Sequence, residues 1–241
     1  MGAFEYEVNN GQVSKNDLSR FFNRYRVNKY IFDTLINLGK TNFAEYKVLE
    51  PGCGNGEKLR FFSEWNVKPE NCHGLELSES AVELCKELSP AKMNFQVGDA
   101  FSMPYESNTF DIVVCSGLFG CFDNDTDVLK LTREIDRVLD TDGVLIVCDL
   151  NENFADMYAD NEFVMAKNLR GYCTRKKTLE SLLSNYFKCV LQFPAFAQDL
   201  YVGQEGQAMG VESFPSLDQR IDNEEVTCSY TFWAFVKSWG F

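Results

Sequence analysis

The stretch Val48-Leu49-Glu50-Pro51-Gly52-Cys53-Gly54-Asn55-Gly56 constrains this chain more than any other. Two apolar β-formers run into an acid. Three glycines follow at alternate positions, and Glu57-Lys58-Leu59-Arg60-Phe61-Phe62 reads as the start of a helix. The pattern predicts a strand, a tight turn and a helix N-terminus. Glycines there permit positive φ and let backbone approach a ligand. The spacing is GxGxG, not the GxGxxG of dinucleotide binders. Glu50 should sit at the carboxyl end of the strand, beside the helix N-terminus. A carboxylate there would repel a pyrophosphate and attract a ligand ammonium group. The alternative is a glycine-rich turn that binds nothing.

The rest of the chain reads as an alternation of strands and helices around that turn. Residues 14–38 carry Leu18, Phe21, Phe22, Tyr25, Tyr30, Ile31, Leu35 and Leu38 at helical spacing, with Gly39 as the stop. Arg20, Arg24 and Arg26 on this helix read either as a solvated face or as part of a lid. A second strand, 72–77, ends in Glu76, which lies 76 − 56 = 20 residues after the last glycine of the turn. An acid at about that distance reaches ribose hydroxyls in nucleoside-binding α/β folds; an ordinary exposed glutamate is the alternative. Ser78 or Ser80 should cap the next helix, whose inward face is expected at Leu84, Cys85 and Leu88. A third strand, 93–97, closes in Gly98-Asp99-Ala100. Phe101 and Met103 suit either an aromatic base or the core.

Phe110 to Ser116 is apolar enough to be buried on both faces, with Asp111 placed for capping at its start. The following loop, with Phe119 and Phe122, should line a cleft or pack inward. Asp123 to Thr126 opens a helix, 140–143 is a turn, and Val144 to Cys148 is a fifth strand ended by Asp149. Beyond 150 the reading thins to a helix near 174–183 and two closing strands, 188–196 and 227–237, with an insertion at 197–226. The organisation expected is a helical arm or lid over 1–40 and a main domain over 41–241.

Composition excludes several classes. A net charge of −13 argues against nucleic acid or an anionic membrane surface as main partner. No run of about 18 apolar residues suggests a membrane span, and the acids near Met1 speak against a secretory signal. The nine cysteines are odd in number, scattered and without a CxxC pair, as in a reduced, cytoplasmic protein. No metal is expected.

Four features in order carry a resemblance. They are the E-x-G-x-G-x-G run at 50–56, the acid at 76, Gly98-Asp99-Ala100, and the Phe110-Asp111-Ile112-Val113 strand start, with a D-G turn before the fifth strand. Together they resemble the class I S-adenosylmethionine (SAM)-dependent methyltransferases. The resemblance implies a Rossmann-like α/β fold: seven strands, mostly parallel, with helices on both faces. It implies SAM as cofactor and S-adenosylhomocysteine (SAH) as product. Glu50, Gly52, Cys53, Gly54 and Gly56 would meet the methionine end, Glu76 and Leu77 the ribose side, Asp99, Ala100 and Phe101 the adenine, and Ser116 the cleft floor. Asp149 and Glu152 are the acids best placed as a base, with Asp123 and Tyr158 behind them; each also fits a cap or a solvated loop. The single histidine, His73, falls at the start of its strand, away from the cleft. Arg24, Tyr25, Phe119 and Phe122 are candidates for acceptor contact. The expected acceptor is a small molecule, a metabolite or sugar, methylated on a hydroxyl. N-methylation and a non-catalytic SAM-binding protein stay open, and a nicotinamide oxidoreductase is disfavoured by Glu50. A monomer or homodimer is expected.

Overall fold

The computed structural model describes residues 15–151, 153, 179–195, 228 and 230–238, with side chains from residue 24 onward. Seven strands form one sheet: β1 (Val48–Pro51), β2 (Cys72–Glu76), β3 (Asn94–Val97), β4 (Phe110–Ser116), β5 (Leu139–Leu150), β6 (Phe187–Pro194) and β7 (Tyr230–Lys237). Their order is β3-β2-β1-β4-β5-β7-β6. The pairs from β3 to β5 are parallel, and β7 runs antiparallel to both its neighbours. The described helices are α1 (Lys15–Asn37), α2 (Glu57–Glu64), α3 (Glu79–Leu88), α4 (Asp125–Val138) and α5 (Leu179–Leu183).

The central strands are buried on both faces, and their residues divide by parity. Val48, Ile112, Val114, Val144 and Ile146 join the core that also holds Leu59, Phe62, Val82 and Cys85 from α2 and α3. Leu49, Val113, Cys115, Leu145 and Val147 join the core beneath α4 and α5, with Leu131, Ile135 and Leu183. A period of two in each strand therefore feeds two separate apolar layers. This is why the strands read as continuous apolar runs rather than alternating ones.

The helix ends follow the residues at them. Asn124 caps α4 by accepting from the Asp127 N–H at 2.9 Å. Ser78 caps α3. The buried positions of α3 are Val82 and Cys85, while Leu84 and Leu88 stand partly exposed, so the inward face is rotated from the one expected. Gly39, at φ 74°, ends α1: its N–H meets the Ile36 carbonyl and the Lys40 N–H meets that of Leu35. Asp111 accepts from the Lys47 N–H at 2.8 Å, a turn role at the amino end of β4. The turn expected at 140–143 is absorbed into β5 as an irregularity, since β5 pairs with Phe110 through Leu139 and then with Ile112 through Val144.

From Val27 on, α1 is packed into the core: Val27, Tyr30, Ile31 and Leu35 are buried against it. Arg26 corrects the solvated-face reading. It is 1 % exposed, donates to the Tyr30 hydroxyl and to the Pro194 carbonyl at 3.5 Å, and lies over the Tyr30 ring. Tyr30 in turn stacks on Phe193 at 4.8 Å. An arginine can be buried when its donors find oxygens and its plane finds a ring. Residues 1–14 of the expected 1–40 arm, and the whole expected insertion at 197–226, lie outside the described residues.

Strand order reverses between β1 and β4, because the chain winds outward to β3 and returns. The cleft at the carboxyl ends of β1 and β4 is the switch point where ligands bind in open α/β sheets. The glycines beside it are not equivalent. A Cβ on Gly56 would lie 2.8 Å from the Phe95 ring, whereas one on Gly54 would meet nothing within 4 Å. Both residues have positive φ. Gly54→Ala should cost about 1–2 kcal/mol, the left-handed penalty alone. Gly56→Ala should cost about 1–3 kcal/mol more through overpacking. Urea denaturation of the two variants checks the order.

Candidate functional site

β1 delivers Glu50 to the cleft. Its residue is 4 % exposed, and its Oε2 is buried without a hydrogen-bond partner. Its partner in β2 is Gly74, which has no side chain to meet it. Burial holds the Glu50 carboxyl well above the ordinary carboxylate range, with Lys58 pulling the other way. A buried acid without a fixed donor is costly, and a cationic ligand would supply what is lacking.

The loop after β1 takes its shape from three left-handed glycines, Gly52, Gly54 and Gly56, at φ 68°, 55° and 74°. The Gly52 and Cys53 N–H groups donate to the Leu75 carbonyl at 2.7 and 3.2 Å, tying the loop to the end of β2. The Gly54 N–H donates to Glu76 Oε2 at 3.0 Å, and Glu76 Oε1 accepts from the Ser78 N–H at 3.1 Å. Glu76 thus couples the loop to the start of α3 while its residue stays partly exposed. Leu77, beside it, is 74 % exposed at the rim. Cys53 is buried, and its neighbour Cys85 donates to the Gly54 carbonyl at 3.1 Å.

After β3, Asp99 accepts from the Phe101 N–H at 2.8 Å and shapes the turn that carries Ala100. Phe101 is half-buried, 5.1 Å from the Phe122 ring, with Lys130 Nζ 5.6 Å from its centroid. Met103 is buried in the α4-side core, which settles its two readings in favour of packing. After β4, Ser116 is partly exposed, and the Gly117 N–H donates to the Cys148 carbonyl at 2.9 Å. Leu118 lies against Gly52, 2.9 Å from where a Cβ would stand. Phe119 is fully buried among core residues, so of its two readings the structure supports packing, not a cleft wall.

Asp149 is the penultimate residue of β5 and is fully buried. Its carboxylate accepts from the Gly120 N–H at 3.1 Å and the Leu150 N–H at 2.8 Å. It holds the loop after β4 against β5. Glu152 and Tyr158 lie outside the described residues. Asp123 is exposed at the start of α4. His73 is remote: it sits edge-on to Tyr105 and Phe110, and burial and then Lys47 lower its pKa. Tyr25 is 58 % exposed, whereas Arg24 pairs with Glu57 at 2.8 Å and joins α1 to the first turn of α2.

Two residues missed in the sequence complete the cleft on its α1 side. Lys58 Nζ donates to Asn28 Oδ1 at 3.5 Å, and the Asn28 amide nitrogen is buried without a partner. Burial lowers the Lys58 pKa, and Glu50 opposes that shift. Asn28 was legible in principle: it falls in register with Ile31 and Leu35 on the apolar stripe of α1, where a polar side chain needs a reason.

The cleft therefore gathers Glu50, the glycine loop, Glu76, Leu77 and the 99–101 turn at the ends of β1, β2 and β3, and Ser116, Phe122 and Asp149 at the ends of β4 and β5. Among the described residues no cluster of metal-ligating side chains occurs, and no helix is long and apolar enough to cross a membrane.

Comparisons with known proteins agree with this geometry. A family model described as a methyltransferase domain matches residues 42–211. An uncharacterized methyltransferase of Bacillus subtilis, YcgJ, is 33 % identical over 110 residues, 44 % of this chain and 41 % of that protein. The match thus spans less than half of that relative's length. The phthiotriol/phenolphthiotriol dimycocerosates methyltransferase of Mycobacterium tuberculosis is 24 % identical over 204 residues, 79 % of this chain and 69 % of its own. The solved structure of the plantazolicin methyltransferase BpumL, in complex with a triazolic desmethylPZN analog and SAH, shares the fold at a TM-score of 0.60, with 16 % identity and coverage of 93 % of this chain and 88 % of its own.

Glu50 yields a prediction with two signs. Its folded pKa is raised, so the folded state holds the proton more tightly than the unfolded one. Its burial is then harmless below the ordinary carboxylate pKa and costs stability as pH rises through that range toward the raised value. Glu50→Gln should raise the Tm of the ligand-free protein by about 2–4 °C near pH 7 and leave it unchanged near pH 4. The same variant should bind SAH at least about tenfold more weakly at pH 7. Thermal scans at both pH values and calorimetry check the pair.

Proposed function

The chain belongs to the class I SAM-dependent methyltransferases, and from that premise we propose that it transfers a methyl group from SAM to a small-molecule acceptor, on a hydroxyl oxygen. The observation that carries the cofactor half is Glu50: a buried carboxylate with an orphaned oxygen at the switch point, beside a left-handed glycine loop. SAM, when bound, supplies a methyl group already activated on a sulfonium. The chain's own residues bind and orient. Glu50 accepts from the ligand ammonium. Glu76, already placed at the loop, accepts from the ribose diol. Asp99 accepts from the adenine amine, with the Ala100 backbone beside it. Leu77 and Phe101 cover the apolar faces of the nucleoside, and Cys53 and Ser116 complete the floor.

On the acceptor side, the Phe101–Phe122 pair offers an aromatic wall at the ends of β3 and β4. In the proposal, Arg24 and Tyr25 on α1 contact the acceptor from the side of α2, to which Arg24 is tied through Glu57. In this reading Asp149 is a positioning residue, whose carboxylate accepts from the backbone N–H groups of Gly120 and Leu150. Transfer to a hydroxyl needs a base only where the oxygen stays protonated in the cleft. Glu152 keeps that role in the proposal, from the segment that follows β5.

A second reading, N-methylation of a small amine, is favoured by the engagement of Asp149, because a neutral amine needs no base to attack. One relative, the ajmaline N-methyltransferase of Rauvolfia serpentina, carries such an activity in its name and is 28 % identical over 131 residues.

Incubation of the protein with methyl-labelled SAM and a fractionated metabolite extract tests the proposal. Label should appear in a small molecule, on oxygen by fragmentation mass spectrometry. Label on nitrogen supports the second reading. SAM binding with no transfer to any fraction overturns both in favour of a non-catalytic SAM-binding protein. Glu76→Gln should weaken SAH binding about tenfold or more by calorimetry, through loss of a charge-assisted pair to the diol.

A further inference from the structure

Arg60 carries its charge in the first turn of α2, at the end of a helix whose dipole disfavours a cation. The helix itself therefore does not account for it. The side chain, half-buried, turns back toward the loop before α2. Its Nη1 donates to the Asn55 carbonyl at 2.7 Å and to Ser89 Oγ at 3.2 Å. Ser89 is the C-cap of α3, the end at which a positive charge is favourable. One guanidinium nitrogen on α2 thus reaches both the glycine loop and the carboxyl end of α3.

Asn55 is where the loop most needs a hold from outside. It stands between Gly54 and Gly56, at φ 55° and 74°. Glycine accepts either sign of φ at little cost, so sterics alone do not fix the peptide planes beside it. Hydrogen bonds do. The Gly54 N–H donates to Glu76 Oε2 at 3.0 Å, and the Gly54 carbonyl accepts from Cys85 Sγ at 3.1 Å. The peptide joining Asn55 to Gly56 is held at both ends. Its N–H donates to the Cys53 carbonyl at 2.8 Å, and its carbonyl accepts from Arg60. The Arg60 bond is the charge-assisted one of these two. We propose that Arg60 is a positioning residue for the cofactor: its guanidinium sets the Asn55–Gly56 peptide, and so keeps the glycine loop in the shape that receives the ligand. This rests on the SAM reading.

Arg60 acts here through the backbone, not by touching the ligand. It reduces the loop conformations among which binding must select, and so lowers the cost of ordering. The packing of α2 does not depend on it, because Leu59 and Phe62 are the buried residues of that helix. Loss of the guanidinium should therefore loosen the loop and leave the sheet in place. The two acceptors separate two effects. The bond to Asn55 acts on the loop, and the bond to Ser89 ties α2 to α3.

Calorimetry with SAH and amide hydrogen exchange, both on the full chain, test this. Arg60→Met keeps an apolar stem and removes the donors, and it should weaken SAH binding about fivefold or more. In that variant without ligand, the Gly56 amide should exchange at least about fivefold faster, while amides in β4 and β5 keep wild-type rates. Arg60→Lys should recover binding to within about twofold of wild type, since a single charged nitrogen makes both bonds. Ser89→Ala should also stay within about twofold, because it removes only the tie to α3. Should Arg60→Met not fold by circular dichroism, Arg60→Gln is read by the same two measurements. A folded variant with a lower Tm but unchanged SAH affinity and Gly56 exchange would overturn the proposal and leave a packing role. A loss in Ser89→Ala equal to that in Arg60→Met would overturn it as well, by placing the effect between α2 and α3. A wild type that binds no SAH would instead strike the SAM reading, which separates the two failures.

Discussion

A carboxylate taken out of water without a fixed donor works against folding, and the rest of this structure is arranged so that Glu50 can be held in that state. It sits at the end of β1, the strand on which the winding of the sheet reverses, opposite a glycine that offers no side chain. Its raised proton affinity follows from burial. A fold carries such a cost when a ligand relieves it, and strain of this kind collects at functional sites. The glycine loop next to it answers the same need from the backbone side. Three left-handed residues turn the chain away from the space that a ligand would fill, and the loop's own N–H groups are bonded to Leu75 and Glu76. The loop is therefore set before any ligand arrives, which lowers the entropic cost of binding.

The two apolar layers explain how that set geometry persists. The layer under α2 and α3 reaches the cleft through Cys53, Cys85 and Phe95, whose ring fills the space beside Gly56 and Gly74. The other layer holds Leu49 of β1 and Phe119 of the loop after β4. Asp149 joins the layers to the site. It is buried at the end of β5, yet its oxygens bind the backbone of the loop after β4. Two of its bonds therefore fix backbone: the Gly120 and Leu150 N–H groups both donate to it.

Much of this was legible in the residues, and the reason differs from case to case. Short-range rules located β1, the glycine loop, Glu76 and the Asn124 to Val138 helix, because strand, turn and cap chemistry act over a few residues. The separation of Phe119 from Phe122, and of Met103 from Phe101, was not legible. Each pair is apolar and within three residues, and only the three-dimensional course of the loop decides which side chain turns inward. Arg26 was misread for a related reason. Its burial depends on Tyr30 one turn away and on Pro194 at the far end of the chain, a contact that no local pattern encodes. The inward face of α3 was misjudged because Leu84 and Leu88 are apolar, while the helix packs through Val82 and Cys85. Hydrophobicity alone does not fix a helix's rotation when its sheet contact is narrow.

Asn28 and Lys58 show where a polar residue carries more information than an apolar one. An asparagine on the buried stripe of α1 and a lysine in the first turn of α2 are each unremarkable in a list of charges. The fold brings them together, with Lys58 Nζ donating to Asn28 Oδ1 at 3.5 Å. α1 is anchored from below by Tyr30 stacked on Phe193, from within by Arg26, and at its edge by Arg24 on Glu57. Those anchors reach β6 and α2. A helix so fixed presents Asn28 at one distance and angle only.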